Sequence, residues 1–378
     1  MRKIVPLLIL FLFCSSILAQ NPGTTGSLGY FHTHEGHTLM PGRWDFYGNL
    51  NFWTKLGDYL GQPPANFSAA NYWLVAGNVA VSYGILNNLD ATLALRVYQD
   101  THHREHGENV PGDLFLTIKG GSFNFKQGHF AGALWTTMRF PTGKVHNHPL
   151  AEYASGSVEY GFFGGMSYYY NPYLPSQGIG LHFNFGWWNH NEKDKDVDIV
   201  DGTTRTATVN SQELKLNLAM GVPAGLFQFR VEIFGGVYTS IPDPFVYSAE
   251  DYAFITPSVR YAPYNNIALD LGVDIRISPE DRQRTSDVPD FSNRLDLPKN
   301  YPPWKVQLGL TYSILPAGVR QQYGGAVDNA QIRRRLNFYE KVMEEKAKAA
   351  QIEKEIEELR KVREKADLEI QKLKDELE

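Results

Sequence analysis

The sequence predicts an all-β membrane protein, an antiparallel transmembrane β-barrel of about twelve strands followed by a long α-helical coiled-coil tail. Three observations predict it. Period-two alternation runs through arms of about ten residues, roughly twice the length of ordinary globular strands. The connections between arms alternate between short and long along the chain, as the turns and outer loops of such barrels do. The last stretch, Asp328 to Glu378, contains neither Gly nor Pro and carries an apolar heptad seam.

The chain opens MRKIVPLLILFLFCSSILAQ, with Arg2 and Lys3, an apolar run from Ile4 to Phe13, and small residues ending at Ala19. This is the layout of a secretory signal peptide over residues 1–19. Cys14 is the only cysteine; Phe13 stands before it where a lipid-anchor site favours a small residue. Cleavage after Ala19 leaves a mature chain with no disulfide, thiol nucleophile or thiolate metal site. Beyond residue 19 no run reaches the roughly 18–20 apolar residues of a spanning helix, so membrane residence requires a closed sheet. The 21 Tyr, 22 Phe, 7 Trp and 34 Gly suit one. A net charge of −5 argues against a nucleic-acid partner.

Residues 20–43 carry Gly23, Gly26, Gly29, Gly36 and Pro41 and no long alternation. They read as an irregular segment, either periplasmic or folded into the lumen. The barrel spans residues 44–315. Strand one sets Trp44, Phe46, Gly48, Leu50 and Phe52 against Asp45, Tyr47, Asn49, Asn51 and Trp53. The next two form a hairpin over Tyr72 to Tyr98 about a Leu86-Asn87-Asn88 turn. Its apolar side carries Trp73, Val75, Val79, Val81 and Tyr83, then Leu89, Ala91, Leu93, Leu95 and Val97; Asn78, Asp90, Arg96 and Tyr98 lie opposite. Trp73 and Tyr83 stand ten positions apart, which spans about 25 Å in a tilted strand and fits the outer and inner aromatic girdles.

The same rule continues with Leu114 to Lys119, Phe130 to Phe140, Val158 to Tyr168 and Ile179 to Trp187. It runs on through Leu214 to Met220, Phe227 to Ile233, Ala253 to Tyr261, Ile267 to Arg276 and Trp304 to Ile314. Short turns fall at 86–88, 122–129, 171–178, 222–225 and 263–266. Long loops fall near 56–71, 99–112, 141–156, 189–211, 240–250 and 278–302. A soluble sandwich gives no reason for this sorting.

After a linker at residues 316–327, the tail at 328–378 sets Val342, Ala349, Ile352, Ile356, Leu359, Ala366, Ile370, Leu373 and Leu377 in one a/d register, interrupted by Glu345 and Arg363. Both ends of the barrel lie on the short-turn side, which places the rod in the periplasm. Ile352, Ile356, Leu359, Ile370, Leu373 and Leu377 are its candidate oligomerisation residues. The alternative is a helix lying against a periplasmic partner.

The inward positions supply candidate pore-lining residues: Asn78, Asp90, Arg96, Lys119, Arg139, Glu159, Arg230, Glu232, Arg260, Asp270, Asp274 and Arg276. Such rows either form a constriction selecting by charge and size or cross-link and fill the barrel. Histidines cluster at His32, His34 and His37, at His146 and His148, and at His102, His103 and His106 beside Asp100, Glu105 and Glu108. The last group is the candidate metal site, by the affinity of imidazole and carboxylate for zinc, copper or nickel, although no spacing fixes two ligands on one rigid element. The acidic run Asp194, Asp196, Asp198 and Asp201 lacks both the turn glycine and the closing Glu of a calcium loop. No nucleophile elbow or local Ser-His grouping marks an enzyme, and no cofactor is expected.

The LMPGRWDF run into strand one, the VSYGILNNLDATLAL hairpin, PGDLFLTIK and the RFPTG end of strand five resemble the outer-membrane transporters grouped under the meta-pathway of phenol degradation. The resemblance covers roughly residues 38–315 and implies a barrel that passes small, often hydrophobic compounds. The last strand, with Gln307, Gly309, Tyr312 and Ile314, resembles the signal read by the bacterial barrel-assembly machinery, here internal because a tail follows. The expectation is a passive small-molecule channel in the outer membrane, its partners lipid, the assembly machinery and either further copies of itself or a periplasmic protein. The alternative is a structural anchor whose tail does the work.

Overall fold

The computed structural model describes residues 21–23, 26–57, 70–101, 108–109, 111–147, 150–172, 175, 178–198, 203–264, 266–279, 301–316, 352, 355–364, 366 and 370. The chain divides into two units, Met1–Leu315 and Pro316–Glu378.

In the first unit the alternating arms become twelve antiparallel strands closed into a barrel. They are β1 Trp44–Gly57, β2 Ala70–Leu86, β3 Leu89–Thr101, β4 Leu114–Phe125, β5 Phe130–Phe140, β6 Glu159–Tyr169, β7 Gly180–Asn189, β8 Gln212–Ala224, β9 Phe227–Ser240, β10 Tyr252–Tyr264, β11 Ile267–Arg276 and β12 Trp304–Ile314. Each pairs with its neighbour in sequence, and β12 returns to β1 over Val306↔Phe52 to Ile314↔Trp44. Closure leaves no long edge with unpaired backbone groups, the condition a sheet must meet in lipid.

Side-chain period two then sorts the wall. Leu50, Val79, Leu93, Ile118, Leu134, Phe162, Leu218, Leu271 and Leu310 are exposed on its outside, Leu134 to 67%. Asn49, Ser82, Asp90, Thr117, Lys119, Glu159, Ser167, Asn184, Glu232, Arg260, Asp274 and Gln307 are buried inside. A soluble barrel would invert this arrangement, so the apolar face is built for an apolar surrounding. Aromatic rings collect toward both rims. Trp44 packs on Tyr83 at 4.4 Å and Phe227 on Tyr261 at 5.0 Å at the short-turn end; Phe162 stacks on Trp187 at 6.3 Å toward the other.

Three local readings change. The β3 face reverses near its end because the pairing slips between Gly77 and Asn78: Asn78 meets Arg96 but Gly77 meets Tyr98. Val97 is therefore the extra residue of a bulge, and Tyr98 shares the outward face of Gly77 instead of the inward one. The turn after β4 comes later than expected. A second slip, between Gly120 and Phe123, lets the strand run on to Phe125, and the turn narrows to Lys126–Gly128. The long loop after β7 carries its own hairpin, Asp196–Asp198 paired with Thr204–Thr206.

Of the second unit, Ile352, residues 355–364, Ala366 and Ile370 are helical and exposed, and Lys361 lies 3.3 Å from Glu357 one turn earlier. Only this short helical stretch lies within the described residues, so a rod over 328–378 is not on view; Leu373 and Leu377 fall outside them, as does the signal segment at 1–19.

Candidate functional site

The lumen is occupied. Residues 26–42, the irregular segment ahead of β1, run through it, after a short hairpin of Asn21–Gly23 with Gly26–Gly29. A chain threading a sheet-lined interior finds few backbone partners there, such as Leu28 O for Glu35 N and Gly84 O for Gly42 N, so most of its other N–H groups need side-chain acceptors. The inward polar residues provide them. Ser27 N donates to Ser82 Oγ on β2 at 3.0 Å, while Ser27 Oγ and Leu39 N both reach Asp90 on β3 at 3.0 Å. Thr38 N donates to Ser122 Oγ on β4, and Gly36 N to Ser167 Oγ on β6 at 2.7 Å. Asn184 on β7 binds His34 on both sides, accepting from its N–H at 2.7 Å and donating to its carbonyl at 2.8 Å. Glu232 on β9 accepts from Phe31 N and His32 N, each at 2.9 Å.

The fit is close. A Cβ on Gly36 would stand 2.1 Å from the Ala131 carbonyl, and one on Gly84 would stand 2.0 Å from the Met40 carbonyl, so both contacts need glycine. Rings add to the packing: His32 stacks on Phe234 at 3.7 Å, and the Arg230 guanidinium lies 4.5 Å above Tyr30.

The long-loop end is filled differently. The described parts of the loops after β5, β7 and β9 fold over it and bury Tyr153, Val197, Ala207, Phe245, Val246, Tyr247 and Ala249 together. Asn147 joins them, donating to the Asp198 and Phe245 carbonyls at 3.1 and 3.3 Å and accepting from Tyr247 N at 2.8 Å. Beneath the loops lies a charge network. Arg139 donates to Asp113 at 2.7 Å; His190 bridges Glu159 at 3.0 Å and Glu213 at 3.1 Å; Lys215 lies 3.3 Å from Glu213. His146 stands 3.1 Å from Asp113 and 3.6 Å from Asp198.

Burial disfavours charge on both histidines, but the carboxylates outweigh it. Glu159 and Glu213 hold His190 at about 9, and Asp113 and Asp198 hold His146 at about 9. At His190 a carboxylate lies within hydrogen-bond distance of each ring nitrogen, so both nitrogens donate, as only the imidazolium can; at His146 Nε2 alone is that close, to Asp113.

Between plug and cap a chamber of about 160 Å³ remains, bordered by His32 and His34 below and by Glu152, Tyr153 and His190 above. Among the candidate pore-lining residues, Arg96 and Arg139 border it. Most of the others are engaged elsewhere. Asp90 and Glu232 hold the plug backbone, and Lys119 donates to the His37 carbonyl at 2.8 Å. Asp274 pairs with His32 at 3.0 Å, Arg230 with Asp270 at 3.0 Å, and Arg276 with Glu250 at 2.8 Å. Arg260 is wholly buried, Glu159 belongs to the histidine network, and Asn78 donates to Asn49 at 3.4 Å. Sequence reading missed Ser82, Ser122, Ser167 and Asn184 as plug anchors. Inward parity is visible for Ser82, Ser167 and Asn184, while Ser122 falls in the expected 122–129 turn, and neither reading names a backbone partner.

Among the described residues no group of three or more His, Cys, Asp or Glu is placed to hold a metal ion. The candidate ligands His102, His103 and His106 lie outside those residues. In the acidic run the side chains diverge: Asp196 accepts from Thr206 at 2.8 Å, while Asp198 faces His146.

No protein-family model and no curated protein matches the chain significantly. Solved structures match weakly. The COG4313 outer membrane channel from Pseudomonas putida F1 aligns over 74% of this chain and 98% of its own at 10% identity and a TM-score of 0.45. The NanC porin aligns over 71% and 98% at 9% identity and 0.42, and a TodX deltaS2S3 mutant, described as a monoaromatic hydrocarbon channel, over 78% and 99% at 10% and 0.36. Likeness at this level carries no functional argument.

Proposed function

We propose that the chain is an outer-membrane channel for small molecules, closed at rest by its own N-terminal segment, in line with the family that its short motifs resemble. One observation carries this reading. The lumen is filled by a continuous segment, residues 26–42, tied to the wall mainly by hydrogen bonds between its backbone and side chains scattered over several strands. A wall built only to anchor the protein would be filled by its own side chains, as small barrels are. The apolar exterior and paired aromatic rims support the membrane setting, with the short turns facing the periplasm.

The test is planar-bilayer conductance of the refolded chain beside the chain lacking residues 20–43. Rare, brief openings in the first and steady conductance in the second are expected. A silent deletion variant with a retained barrel circular-dichroism spectrum would discard the channel.

A second reading, a structural anchor whose tail assembles copies, is favoured by a specific observation. Ile352 and Leu359, in one register of the tail helix, are 55% and 68% exposed in the single chain. An apolar seam on a charged helix gains stability by pairing with another. Sedimentation in detergent with and without residues 326–378 tests it. A loss of oligomers with unchanged conductance assigns the tail to assembly, and identical sedimentation removes that role.

A further inference from the structure

We propose that the chamber between plug and cap is a binding site for a single-ring aromatic carboxylate, held by Arg96. The proposal rests on the channel reading only for the ligand's route in. Arg96, Arg139, Lys215 and the His190 imidazolium border the chamber, and the last three have carboxylate partners, Glu159 and Glu213 in the case of His190. Arg139 donates to Asp113 at 2.7 Å and lies 3.8 Å from Glu159; Lys215 lies 3.3 Å from Glu213 and 3.8 Å from Glu152. Arg96 differs. Its guanidinium donates to the side-chain oxygens of Asn78 at 3.3 Å and Gln99 at 3.1 Å, both neutral amides. No carboxylate among the described residues lies within ion-pair distance of it. A guanidinium has five donors, and these bonds use two. A half-buried charge held among neutral amides gains more from an incoming carboxylate than a fully exposed arginine would.

The position is built. Arg96 N donates to the Asp113 carbonyl at 3.0 Å, and Gly112 N donates back to the Arg96 carbonyl at 2.6 Å. Gly112 has no Cβ, and one would stand 2.9 Å from that of Arg96, so the bare backbone lets the arginine stem lie flat against it. The rest of the wall is aromatic. Phe115, Trp135, Phe163 and Trp188 border the chamber, and Trp135 and Phe163 stack at 5.6 Å with planes 8° apart. These faces take a flat ring and give little to an alkyl chain's length or a sugar's hydroxyls.

Size sets the limit. A volume of about 160 Å³ is close to the ~150 Å³ of an apolar cavity that takes one benzene, so one ring fits and two do not. Glu152 also borders the chamber, yet it is matched by Lys215. Charge therefore admits a monoanion and disfavours a cation.

The test is calorimetric titration of the full chain in an uncharged detergent with benzoate, with benzamide (the same ring without the charge) and with acetate (the charge without the ring). Benzoate binding at least about tenfold tighter than either is expected, and Arg96→Gln should lower benzoate affinity about tenfold while leaving benzamide unchanged. Equal affinities for benzoate and benzamide in the unaltered chain, or no benzoate heat at all, would overturn the proposal. That comparison needs no variant, so misfolding of Arg96→Gln cannot rescue it. Benzoate binding without any conductance keeps the site and discards the channel; conductance without benzoate binding does the reverse.

Discussion

The two ends of the lumen are closed by different physics. At the short-turn end a single strand of chain is fastened by backbone N–H groups to Ser82, Ser167, Asn184, Asp90 and Glu232. At the long-loop end, loops pack on an apolar cluster above ion pairs that run through His146 and His190. The first kind of closure rests chiefly on the plug's backbone, since every residue but proline offers the same N–H, with side-chain contacts such as Ser27 Oγ to Asp90 and His32 to Asp274 added to it. The second depends on protonation. A plug made this way depends on a set of separate hydrogen bonds, whereas the cap depends on charges shared through His146 and His190.

The largest effect should come from Glu232→Ala. It strips the acceptor from two buried N–H groups, Phe31 and His32, each worth about 1–3 kcal/mol when left unsatisfied. Plug release in single-channel records should become more frequent by one to two orders of magnitude, with the barrel's melting little changed. An unchanged opening frequency would mean that the plug is not the gate. Gly36→Ala comes next. Its Cβ has no room beside the Ala131 carbonyl, and overpacking of this kind costs about 1–3 kcal/mol, shared between plug displacement and strand distortion. Proteolysis of the N-terminal segment should speed up by about tenfold, and equal cleavage rates would show that the plug has slack at Gly36.

The barrel is legible in the sequence and the plug is not, for a physical reason. Wall residues such as Leu93 and Asp90 repeat a period that only a two-sided sheet explains, and loop lengths then tell which side meets lipid. The segment from Ser27 to Leu39 has no period because its conformation answers to scattered anchors, not to a ladder. Its glycines can be read as irregularity, yet only Ala131 and the wall around it show why Gly36 must be one. Arg96 and Asp274 illustrate the same boundary. Parity sets both inside; which of them meets His32 and which faces a chamber depends on contacts between residues far apart in the chain. Parity misplaces Tyr98, because a bulge at Val97 leaves no mark in an alternating pattern.

The cap should respond to pH more than the plug, whose His32–Asp274 pair stands among backbone bonds that do not titrate in this range. His146 and His190 are both held at about 9, above the ordinary 6.5 of a histidine, so their contribution is complete below pH 6.5 and is lost as pH rises through 9. Each contributes on the order of 2 kcal/mol at neutral pH, since every tenfold gain in proton affinity on folding corresponds to about 1.4 kcal/mol. Between pH 7 and pH 10, cleavage within the 190–211 loop should accelerate more than cleavage of the N-terminal segment, where His32 with Asp274 is the pair that weakens. His190→Gln should flatten the loop's profile. Parallel acceleration of both cleavages would erase the distinction between the two closures.

The smallest effect tests whether the cap is one unit. Thr208 ties the loop after β7 to the loop after β9, donating from Oγ1 and from N to Asp243 at 2.6 and 2.7 Å. The pair is exposed, so water competes for both groups, and Thr208→Val should cost only about 0.5–1 kcal/mol. If the loops open together, that loss is spread over the whole cap, and hydrogen exchange should rise about two- to fivefold at Tyr247 N and Asn147 N alike, though neither touches Thr208. If they open separately, exchange should rise at Val209 N, the other donor to Asp243, and nowhere beyond it. Asn147, on the loop after β5, makes the joint outcome the expected one: it is bonded at once to Asp198, Phe245 and Tyr247, so neither of the other two loops can lift without breaking its bonds to Asn147.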